Sequence, residues 1–407
     1  VSKYVSLPGC GSAGVRGYSL MRELARAGHK VTIITSDSNH LVTAPVLTNH
    51  YLIQRIDELD VCWVRTSKYD LAKSFRRILS WLHFEWRLLF IPRQRLNRPD
   101  IVIVSSLSLL TIINGLLLRF IYNCPLIFEV RDIWPLTLTE EGGVSRSNLF
   151  VALLGALEYV AYRCSDAIVG TMPNLGKHVE NVLGFYKQTY CIPMGVDEAS
   201  LSNSASLSSD YLNAYFPVNR FIVAHVGSIG ITNALDTFFE CAVLMKDLPD
   251  IHFLAIGSGD LREMYCSMYG YLANLSFPPK IPKEMVQDAL SHCDLLYFSV
   301  FDSKVWEYGQ SLNKVIDYML AGKPIVASYG GYPSMVNEAC CGSFLPAGSV
   351  VALKNEILRF YGMSEGERRS VGVRGRVWLL ENRRYQNLAA DYIDIMLKTV
   401  ARRHSCP

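Results

Sequence analysis

A lysine and a carboxylate at the start of one predicted helix are the side chains best suited to chemistry. Residues 308–326, YGQSLNKVIDYMLAGKPIV, read as a polar loop, a helix and a buried strand. Lys314 and Asp317, three residues apart, share one helix face. An ammonium group is unfavourable at a helix N-terminus unless an anion lies there, and a carboxylate one turn later can accept hydrogen bonds from a ribose diol. The spacing therefore indicates one end of a nucleoside diphosphate, and an ordinary ion pair is the alternative.

The residues around this pair extend the predicted site. Ser311 is the predicted N-cap of the helix, and Asn313 lies in its first turn. A second group follows the run FIVAHV at 221–226, where Gly227 and Ser228 begin a glycine loop. Backbone N–H groups in such loops bind phosphate, so we expect this loop to complete an anion cradle.

A glycine-rich loop near the N-terminus is a further candidate site. Residues 9–14, GCGSAG, match G-x-G-x-x-G after a predicted first strand, and Asp37 ends the second strand. This pattern is typical of NAD-dependent oxidoreductases, which are one hypothesis. A glycine loop that leads into a helix binds phosphate of any origin, and a tight turn without a ligand is the alternative. The expected anion ligands are Gly11, Ser12, Gly14 and Arg16.

Short β-rich runs alternate with helical patterns along the whole chain. This alternation predicts an α/β fold with parallel sheets and crossover helices. It stops at a serine-rich stretch, 200–209, and restarts near residue 219. We therefore predict two Rossmann-like doubly wound domains facing each other across a cleft, one at 1–198 and one at 199–385. An amphipathic pattern in 386–407 predicts a helix that packs back on the first domain. The predicted strands are 31–35, 61–65, 101–105, 126–130, 167–170, 189–192, 221–226, 251–256, 295–298 and 325–327.

Two charged residues follow a predicted strand of the first domain. Arg131 and Asp132 come directly after LIFEV at 126–130. Ligands of doubly wound sheets bind beyond the carboxyl ends of the strands. We therefore expect Asp132 to orient an acceptor hydroxyl and Arg131 to hold an acceptor phosphate or sugar. A local ion pair between these two neighbours is the alternative.

Composition excludes several classes of protein. Half of the 407 residues are hydrophobic and 19% are charged, which excludes a disordered chain. The formal charge of +3 is too small for a dedicated nucleic-acid binder. The eleven cysteines include no C-x-x-C pair, and neither an Asp-x-Asp triplet nor a histidine cluster indicates a metal site. The N-terminus has no secretory signal pattern, so we expect reduced thiols in the cytoplasm.

A basic segment at 65–98 predicts a membrane-facing surface. It carries nine Lys or Arg against Asp70 and Glu85. Apolar residues recur within it at helical spacing, and the aromatic face is wider than a core helix needs. Basic amphipathic helices of this kind lie in anionic membrane interfaces, and a core helix with a solvated arginine face is the alternative. The residues predicted for this surface are Arg76, Arg77, Trp81, Trp86 and Arg87.

The motifs together resemble family 4 glycosyltransferases of the GT-B fold. The stretch 308–326 is similar to the nucleotide-binding helix of that family, in the form S-P-N-K-x-F-[DE]-Y-M-A-x-G-K-P found in bacterial surface-polysaccharide enzymes. Further resemblances are at 8–16, 28–31, 129–135, 192–197 and 225–230. Within the family, the sequence looks most like enzymes that transfer an N-acetylated aminosugar, such as N-acetyl-L-fucosamine, during O-antigen or capsule assembly.

The resemblance implies an activity and roles for residues. It implies a retaining, metal-independent glycosyltransferase that moves a sugar from a UDP-linked donor to a polyprenyl-diphosphate-linked saccharide at the inner face of the plasma membrane. Asp317 matches the Glu that closes the family's E-x7-E motif and binds ribose. Gly309 stands where the first Glu is expected, so that carboxylate is either missing or supplied by Glu307. Lys304 and Lys314 replace the family's diphosphate-binding Arg and Lys. A GT-B epimerase and a noncatalytic nucleotide-sugar binding protein remain alternatives.

Overall fold

The structure, a computed structural model, describes residues 1–8, 16–39, 44–69, 75–197 and 204–405. The chain forms two compact units, one of Val1–Pro193 with Tyr385–Pro407 and one of Met194–Arg384. The sequence-based boundaries, at 198 and 385, fall within a few residues of these. Each unit contains parallel strands flanked by helices, so the predicted α/β class with two Rossmann-like domains is confirmed.

Unit 1, Val1–Pro193 with Tyr385–Pro407, contains two sheets. The first has the order β1-β3-β2, with β2 antiparallel to β3, and the second has the parallel order β4-β5-β6-β7. The N-terminal residues lie between them: the Ser2 N–H donates to Ile34 O at 3.0 Å, and Val1 O accepts from the Ser105 N–H at 3.1 Å. The strands are β1 Thr32–Ser36, β2 Tyr51–Ile56, β3 Leu59–Val64, β4 Val102–Ser105, β5 Leu126–Val130, β6 Ala167–Gly170 and β7 Thr189–Cys191.

The helices of unit 1 alternate with these strands. Asn148 caps α5, since its side chain accepts the Phe150 N–H at 2.8 Å, and Gly184 ends α6 with φ 76°, a left-handed conformation that favours glycine. The helices are α1 Arg16–Arg26, α2 Phe75–Leu88, α3 Thr111–Tyr122, α4 Leu136–Glu140, α5 Leu149–Cys164 and α6 Leu175–Leu183.

Unit 2, Met194–Arg384, is built on one parallel sheet of six strands. The order is β10-β9-β8-β11-β12-β13, and all neighbouring strands are parallel. From β8 the chain adds β9 and β10 on one side and β11, β12 and β13 on the other, so the strand order reverses between β8 and β11. Four strands, β8, β9, β11 and β12, are buried along their whole length because helices cover both faces. The strands are β8 Phe221–Val226, β9 Ile251–Ile256, β10 Leu275–Ser276, β11 Leu295–Ser299, β12 Ile325–Ser328 and β13 Gly342–Leu345.

Two apolar clusters fill the space on either side of this sheet. Alternate residues of β8 divide between them: Ile222 and Ala224 join one cluster, and Phe221 and Val223 join the other. The helices are α7 Ser209–Tyr215, α8 Asp236–Leu244, α9 Arg262–Tyr269, α10 Val286–Ser291, α11 Asn313–Leu320, α12 Met335–Glu338, α13 Val350–Tyr361 and α14 Glu365–Asn382.

The C-terminal helix, α15 Tyr385–Ser405, belongs to unit 1. Its buried side chains Leu388, Tyr392 and Ile395 share an apolar cluster with Leu20 and Leu24 of α1. The chain leaves unit 1 at Pro193 and returns to it with α15, and this helix completes the core of unit 1.

Three strands were not predicted from the sequence, and one prediction is wrong. β2, β10 and β13 are edge strands, and edge strands have weaker apolar patterns than central ones. No strand forms in residues 1–8, where the first strand was predicted. Residues 1–3 nevertheless bond to both sheets: Lys3 O accepts the Ser36 N–H at 3.4 Å, and the Val1 amino group donates to Ile103 O at 2.6 Å.

Candidate functional site

The strand order of unit 2 reverses between β8 and β11, and the loop after β8 begins at this point. Residues 227–230 pack closely on the loop that follows β9. The Gly227 N–H donates to Ile256 O at 2.9 Å, and a Cβ atom built on Gly257 would lie 1.8 Å from Gly227 O. Only glycine permits this approach, in which φ is +153° at Gly257. Such reversal points are where doubly wound sheets bind their ligands.

Lys314 brings a cation to this point. Its Nζ atom donates to Asn233 Oδ1, which lies on the loop after β8. Asn233 is held in turn by β11, since Ser299 Oγ donates to Asn233 O at 2.7 Å. Burial lowers the pKa of Lys314 to about 8, so the side chain is an ammonium at neutral pH. One cation from α11 therefore lies at the end of β8.

The buried, neutral His225 contacts the backbone of the loop after β8. The His225 ring nitrogens lie 3.3 Å from Tyr297 O and 3.2 Å from Ser228 O. Burial, together with the positive charge of Lys314, lowers the pKa of His225 to about 3. The ring therefore stays uncharged at neutral pH and fixes the loop without adding charge.

Tyr318 ties helix α11 to the end of β8. Its hydroxyl accepts the Val226 N–H at 2.9 Å and lies 3.1 Å from Val226 O. Within the described ranges, the N–H groups of Ser228 and Gly230 donate to no protein acceptor. A Cβ atom built on Gly227 would lie 3.9 Å from Lys314 Nζ, so the ammonium lies beside the loop that carries these two free donors. A loop with free N–H groups beside an ammonium is suited to an anion.

Asp317 pairs with Lys283 and not with Lys314, which the alternative interpretation as an ordinary ion pair required. It lies 2.5 Å from Lys283 Nζ, at the turn before α10, and Lys314 bonds instead to Asn233. The ordinary ion pair between Lys314 and Asp317 is therefore not formed. Burial raises the pKa of Asp317, although Lys283 opposes the shift. A half-buried carboxylate with an exposed lysine partner can exchange that partner for a ligand hydroxyl.

Ser311 is not the N-cap, which corrects the prediction. The cap position is Leu312, and no side chain caps this helix. Ser311 Oγ instead accepts the Met194 N–H at 2.9 Å, and the Gln310 side-chain oxygen accepts the Leu312 N–H at 3.0 Å. Asn313 is exposed in the first turn of α11, as predicted for its position.

The residues before α11 lie in a short 3-10 helix, Lys304–Tyr308, that follows β11. Lys304 and Glu307 are both exposed there. Gly309 has φ 106° and ψ 178°, a backbone region open essentially to glycine alone. The position where the family motif places its first Glu therefore has a backbone that disfavours any Glu.

The glycine loop of unit 1 lies largely outside the described residues. Gly11, Ser12 and Gly14 are among those not described. Arg16, the first residue of α1, is described and does not face a ligand, which corrects the prediction. It is fully buried, pairs with Glu129, and donates to Ile192 O at 2.6 Å. An arginine so enclosed is a structural residue.

Asp37 also has a structural partner. Its carboxylate lies 2.9 Å from Lys68 Nζ and accepts the Thr66 N–H at 2.8 Å, and the residue is buried. A carboxylate used in this way does not have the exposure that a ribose ligand needs. The oxidoreductase hypothesis was based on residues 9–14 together with Asp37. Residues 9–14 lie outside the described residues, and the burial and partners of Asp37 do not favour the hypothesis.

Arg131 and Asp132 follow β5 as predicted. Ser106 Oγ, from the loop after β4, accepts the Arg131 N–H at 2.9 Å and donates to Asp132 O at 3.2 Å. Asp132 is exposed and Arg131 is half-buried. The structure therefore fixes the backbone of both residues at the carboxyl end of the sheet and leaves the carboxylate accessible.

Helix α2 exposes some of the residues predicted for the membrane-facing surface and packs others inward. Trp81 is buried, and its Nε1–H donates to the Tyr4 hydroxyl at 2.6 Å. Arg77 lies over the rings of Tyr4 and Trp81, with 5.2 Å from its guanidinium carbon to the Trp81 centroid. These two residues are thus corrected from surface to packing positions. Arg76 and Trp86 are exposed, and Arg87 lies over the Trp86 ring at 5.2 Å.

Sequence reasoning missed three residues of the site, Asn233, His225 and Tyr318. Asn233 carries no signal in the sequence, because only the folded chain brings it to Lys314. Tyr318 had one, since it follows Asp317 in the same motif. Among the described residues, no group of three His, Cys, Asp or Glu side chains is placed to hold a metal ion.

The chain matches two protein-family models in succession. Residues 13–200 match Glycosyltransferase Family 4, and residues 220–362 match Glycosyl transferases group 1. No curated protein sequence matches the chain.

The structure is similar to solved structures over nearly its whole length. Sucrose-phosphate synthase from Thermosynechococcus elongatus has 16% sequence identity and a TM-score of 0.73, with 98% of each chain covered. HepE of Anabaena, in complex with UDP and glucose, has 14% identity and a TM-score of 0.66 over 97% of this chain and 98% of its own. WaaG, a glycosyltransferase involved in lipopolysaccharide biosynthesis, has 14% identity and a TM-score of 0.65 over the same shares. Identities this low show the fold alone.

Together the fold and the family matches define the class of protein: the chain is an enzyme, a glycosyltransferase of the GT-B fold.

Proposed function

We propose that this enzyme is a retaining, metal-independent glycosyltransferase. Its donor is a UDP-linked sugar, an N-acetylated aminosugar, and its acceptor is a saccharide on a polyprenyl diphosphate at the cytoplasmic face of a bacterial plasma membrane. The product is then an intermediate of O-antigen or capsule assembly. One observation supports the donor part of this proposal: Lys314 is hydrogen-bonded to Asn233 at the point where the strand order of unit 2 reverses.

The donor site has the charge that leaving-group chemistry requires. Glycosyl transfer builds negative charge on the departing diphosphate, and donors aimed at that charge lower the barrier. Lys314 supplies an ammonium, and the N–H groups of Ser228 and Gly230 supply neutral donors. Lys304 is exposed after β11 and adds a second cation. Asp317 binds the ribose diol by giving up Lys283. UDP as the nucleotide is supported by the similar structure of Anabaena HepE, which is a complex with UDP and glucose.

The reaction needs no protein nucleophile in this proposal. The acceptor hydroxyl attacks the anomeric carbon from the face that the diphosphate leaves, and a leaving-group phosphate oxygen takes the hydroxyl proton. The C–O bond to the diphosphate breaks as the new glycosidic C–O bond forms, so configuration is retained. Asp132, exposed and held by Ser106, orients the acceptor hydroxyl, and Arg131 holds an acceptor phosphate.

The membrane half of the proposal rests on α2. Its exposed side carries Trp86 beside Arg87, and Arg76 in the first turn of the helix. Over the described residues, no helix is long and apolar enough to cross a bilayer. An amphipathic helix of this kind lies in the interface, where a lipid-linked acceptor is found.

A thermal-shift panel tests the donor half. UDP, GDP, dTDP, ADP and NAD are compared with and without EDTA, since a ligand that binds only the folded form raises the melting temperature by mass action. We expect UDP to give the largest shift, at about 2.7 kcal/mol of stabilisation when its concentration is about one hundred times Kd, and EDTA to leave it unchanged. Stabilisation by NAD alone, or loss of the UDP shift in EDTA, would contradict the proposal.

Turnover separates transfer from the two remaining alternatives. UDP-linked N-acetylated aminosugars are incubated with and without a polyprenyl-diphosphate saccharide, and UDP release is measured along with the anomeric configuration of the product. Acceptor-dependent release with retained configuration is expected. Conversion of the donor without acceptor would indicate an epimerase, and binding without turnover would indicate a noncatalytic protein.

A further inference from the structure

Three neighbouring helices of unit 1 expose apolar side chains and no acids. Helices α2, α3 and α5 contain two carboxylates, Glu85 and Glu158. Both are buried, at 9% and 4% exposure. Glu85 accepts from Thr111 Oγ1 at 2.7 Å and so joins α2 to α3, and Glu158 lies 2.7 Å from His178. Each carboxylate is therefore bonded to a neighbouring side chain inside unit 1, and neither is exposed on the outer surface of these helices.

The outward side of each helix is apolar. On α5 the exposed residues between its ends include no acid, and Leu149 is 85% exposed. On α3 Phe120 is also 85% exposed, in the last turn. Helical spacing places the exposed residues of each helix on one side. The large exposed apolar residues are Leu79, Leu82 and Trp86 of α2, Ile113, Phe120 and Ile121 of α3, and Leu149, Leu153, Tyr159 and Val160 of α5.

These helices lie side by side. Helix α2 contacts α3, and α3 contacts α5. Helix α5 packs on one face of the sheet, where Phe128 meets Tyr162 at 5.9 Å between ring centroids. The neighbouring strand residue Ile127 faces the other way, into the cluster with α1 and α15. One face of this sheet is therefore covered by α1 and α15. The other face carries α3 and α5, α2 lies beside α3, and the outward sides of these three helices are exposed.

The charge on this surface selects its occupant. The exposed or half-exposed charged side chains of the three helices are arginines, among them Arg76, Arg87 and Arg163. Two copies of the chain that met through this surface would bring like charges together, without exposed acids on these helices to offset them. An anionic bilayer supplies both the apolar interior and the negative headgroups. Water-soluble monomers rarely expose so large a contiguous apolar surface.

We propose that α2, α3 and α5 together form a membrane face that inserts its apolar side chains into an anionic bilayer interface. The face, defined by the exposed residues of these three helices, deepens the proposed function and rests on it, since the lipid-linked acceptor is met there. It differs from adsorption through the basic helix α2 alone, because most of its apolar residues belong to α3 and α5.

Vesicle cosedimentation of the full chain tests this face. The vesicles contain phosphatidylglycerol and phosphatidylethanolamine, or phosphatidylcholine only, at low and at high salt. The double variant Phe120→Glu with Leu149→Glu changes two of the most exposed side chains, so it leaves the core intact. The matched control changes Val218 and Tyr271 of unit 2, at 83% and 74% exposure, to Glu.

We expect the F120E/L149E variant to lose membrane partitioning by roughly tenfold or more, and the V218E/Y271E control to bind like the wild type. Part of the wild-type binding should survive high salt, because insertion of apolar side chains is not screened. A variant R76E/R87E should lose only the salt-sensitive part. Equal partitioning of F120E/L149E and wild type would overturn the face, as would complete loss of binding by R76E/R87E alone.

Two further readouts keep the result interpretable. The melting temperature of each variant, measured with and without UDP, shows whether F120E/L149E is folded independently of nucleotide binding. If the wild type binds vesicles as expected but UDP does not stabilise it, the membrane face stands and the proposed function fails. A wild type that sediments as a dimer without vesicles, and a F120E/L149E variant that sediments as a monomer, would assign the surface to a second copy and overturn the proposal.

Discussion

At the scale of single residues, Lys314 supplies the charge at the proposed donor site, and its ammonium donates to Asn233 Oδ1. Burial lowers the pKa of Lys314 to about 8, and Asn233 offers it one neutral oxygen. The neighbouring His225 has a pKa of about 3 and does not titrate near neutrality. The pH dependence of nucleotide binding should therefore report on Lys314.

We predict that UDP affinity falls as the pH rises through about 8, because the ammonium form binds phosphate and the neutral amine does not. Asn233→Asp should move this midpoint to higher pH by placing a negative charge beside the ammonium. Asn233→Ala should move it to lower pH by removing the acceptor. Isothermal titration calorimetry between pH 6 and pH 9.5 measures all three proteins.

Lys314→Arg is the control for this series, since a guanidinium stays charged throughout that range. Its UDP affinity should not vary with pH in the same way. Identical midpoints for wild type, N233D and N233A would show that Asn233 does not set the charge of Lys314.

At the scale of elements, the C-terminal helix α15 is as important to unit 1 as any of its central strands. Leu388 is buried at 2% exposure against α1, whereas Leu397 on the same helix is 59% exposed. The two leucines have the same chemistry and helix propensity, so a comparison of them isolates packing.

We predict that Leu388→Ala lowers the free energy of unfolding by about 2–5 kcal/mol, through lost burial and the cavity it leaves. Leu397→Ala should change it by less than about 0.5 kcal/mol. Urea unfolding followed by circular dichroism gives both values. Similar losses for the two variants would mean that α15 is not packed on unit 1 as described.

At the scale of the whole molecule, one buried ion pair joins distant parts of the chain. Arg16 at the start of α1 pairs with Glu129 of β5 and donates to the carbonyls at 192 and 193, where the chain leaves unit 1. Tyr392 of the returning helix lies 3.5 Å from the same carboxylate. Burial alone would raise the pKa of Glu129, but the Arg16 guanidinium holds it below its usual value of 4.5.

We predict that Arg16→Met, which leaves the Glu129 charge buried and unpaired, lowers the free energy of unfolding by about 3–5 kcal/mol. The double variant Arg16→Met with Glu129→Leu should cost less than Arg16→Met alone. The contribution of Glu129 is present above pH 4.5 and is lost as the pH falls through its lowered folded-state pKa. Urea unfolding at pH 7 and pH 4 measures these differences, and a double variant as unstable as the single one would contradict the pairing.

The sequence by itself determined the α/β class, most central strands and the position of Asn313 and Lys314 in the first turn of α11. These depend on patterns a few residues long: apolar runs for buried strands, and local spacing for a helix start. The edge strands β2, β10 and β13 escaped it because their side chains are only partly buried.

Only the tertiary structure decided which side chains lie together in a site and which are buried in packing contacts. Arg16 reads as a phosphate ligand beside its glycine loop, yet the fold encloses it against Glu129, which is over a hundred residues away. Trp81 reads as part of a surface, yet α2 turns it inward to Tyr4. Asn233 reaches Lys314 across 81 positions. Burial and partner choice arise from contacts between residues distant in the chain, and no local pattern carries that information.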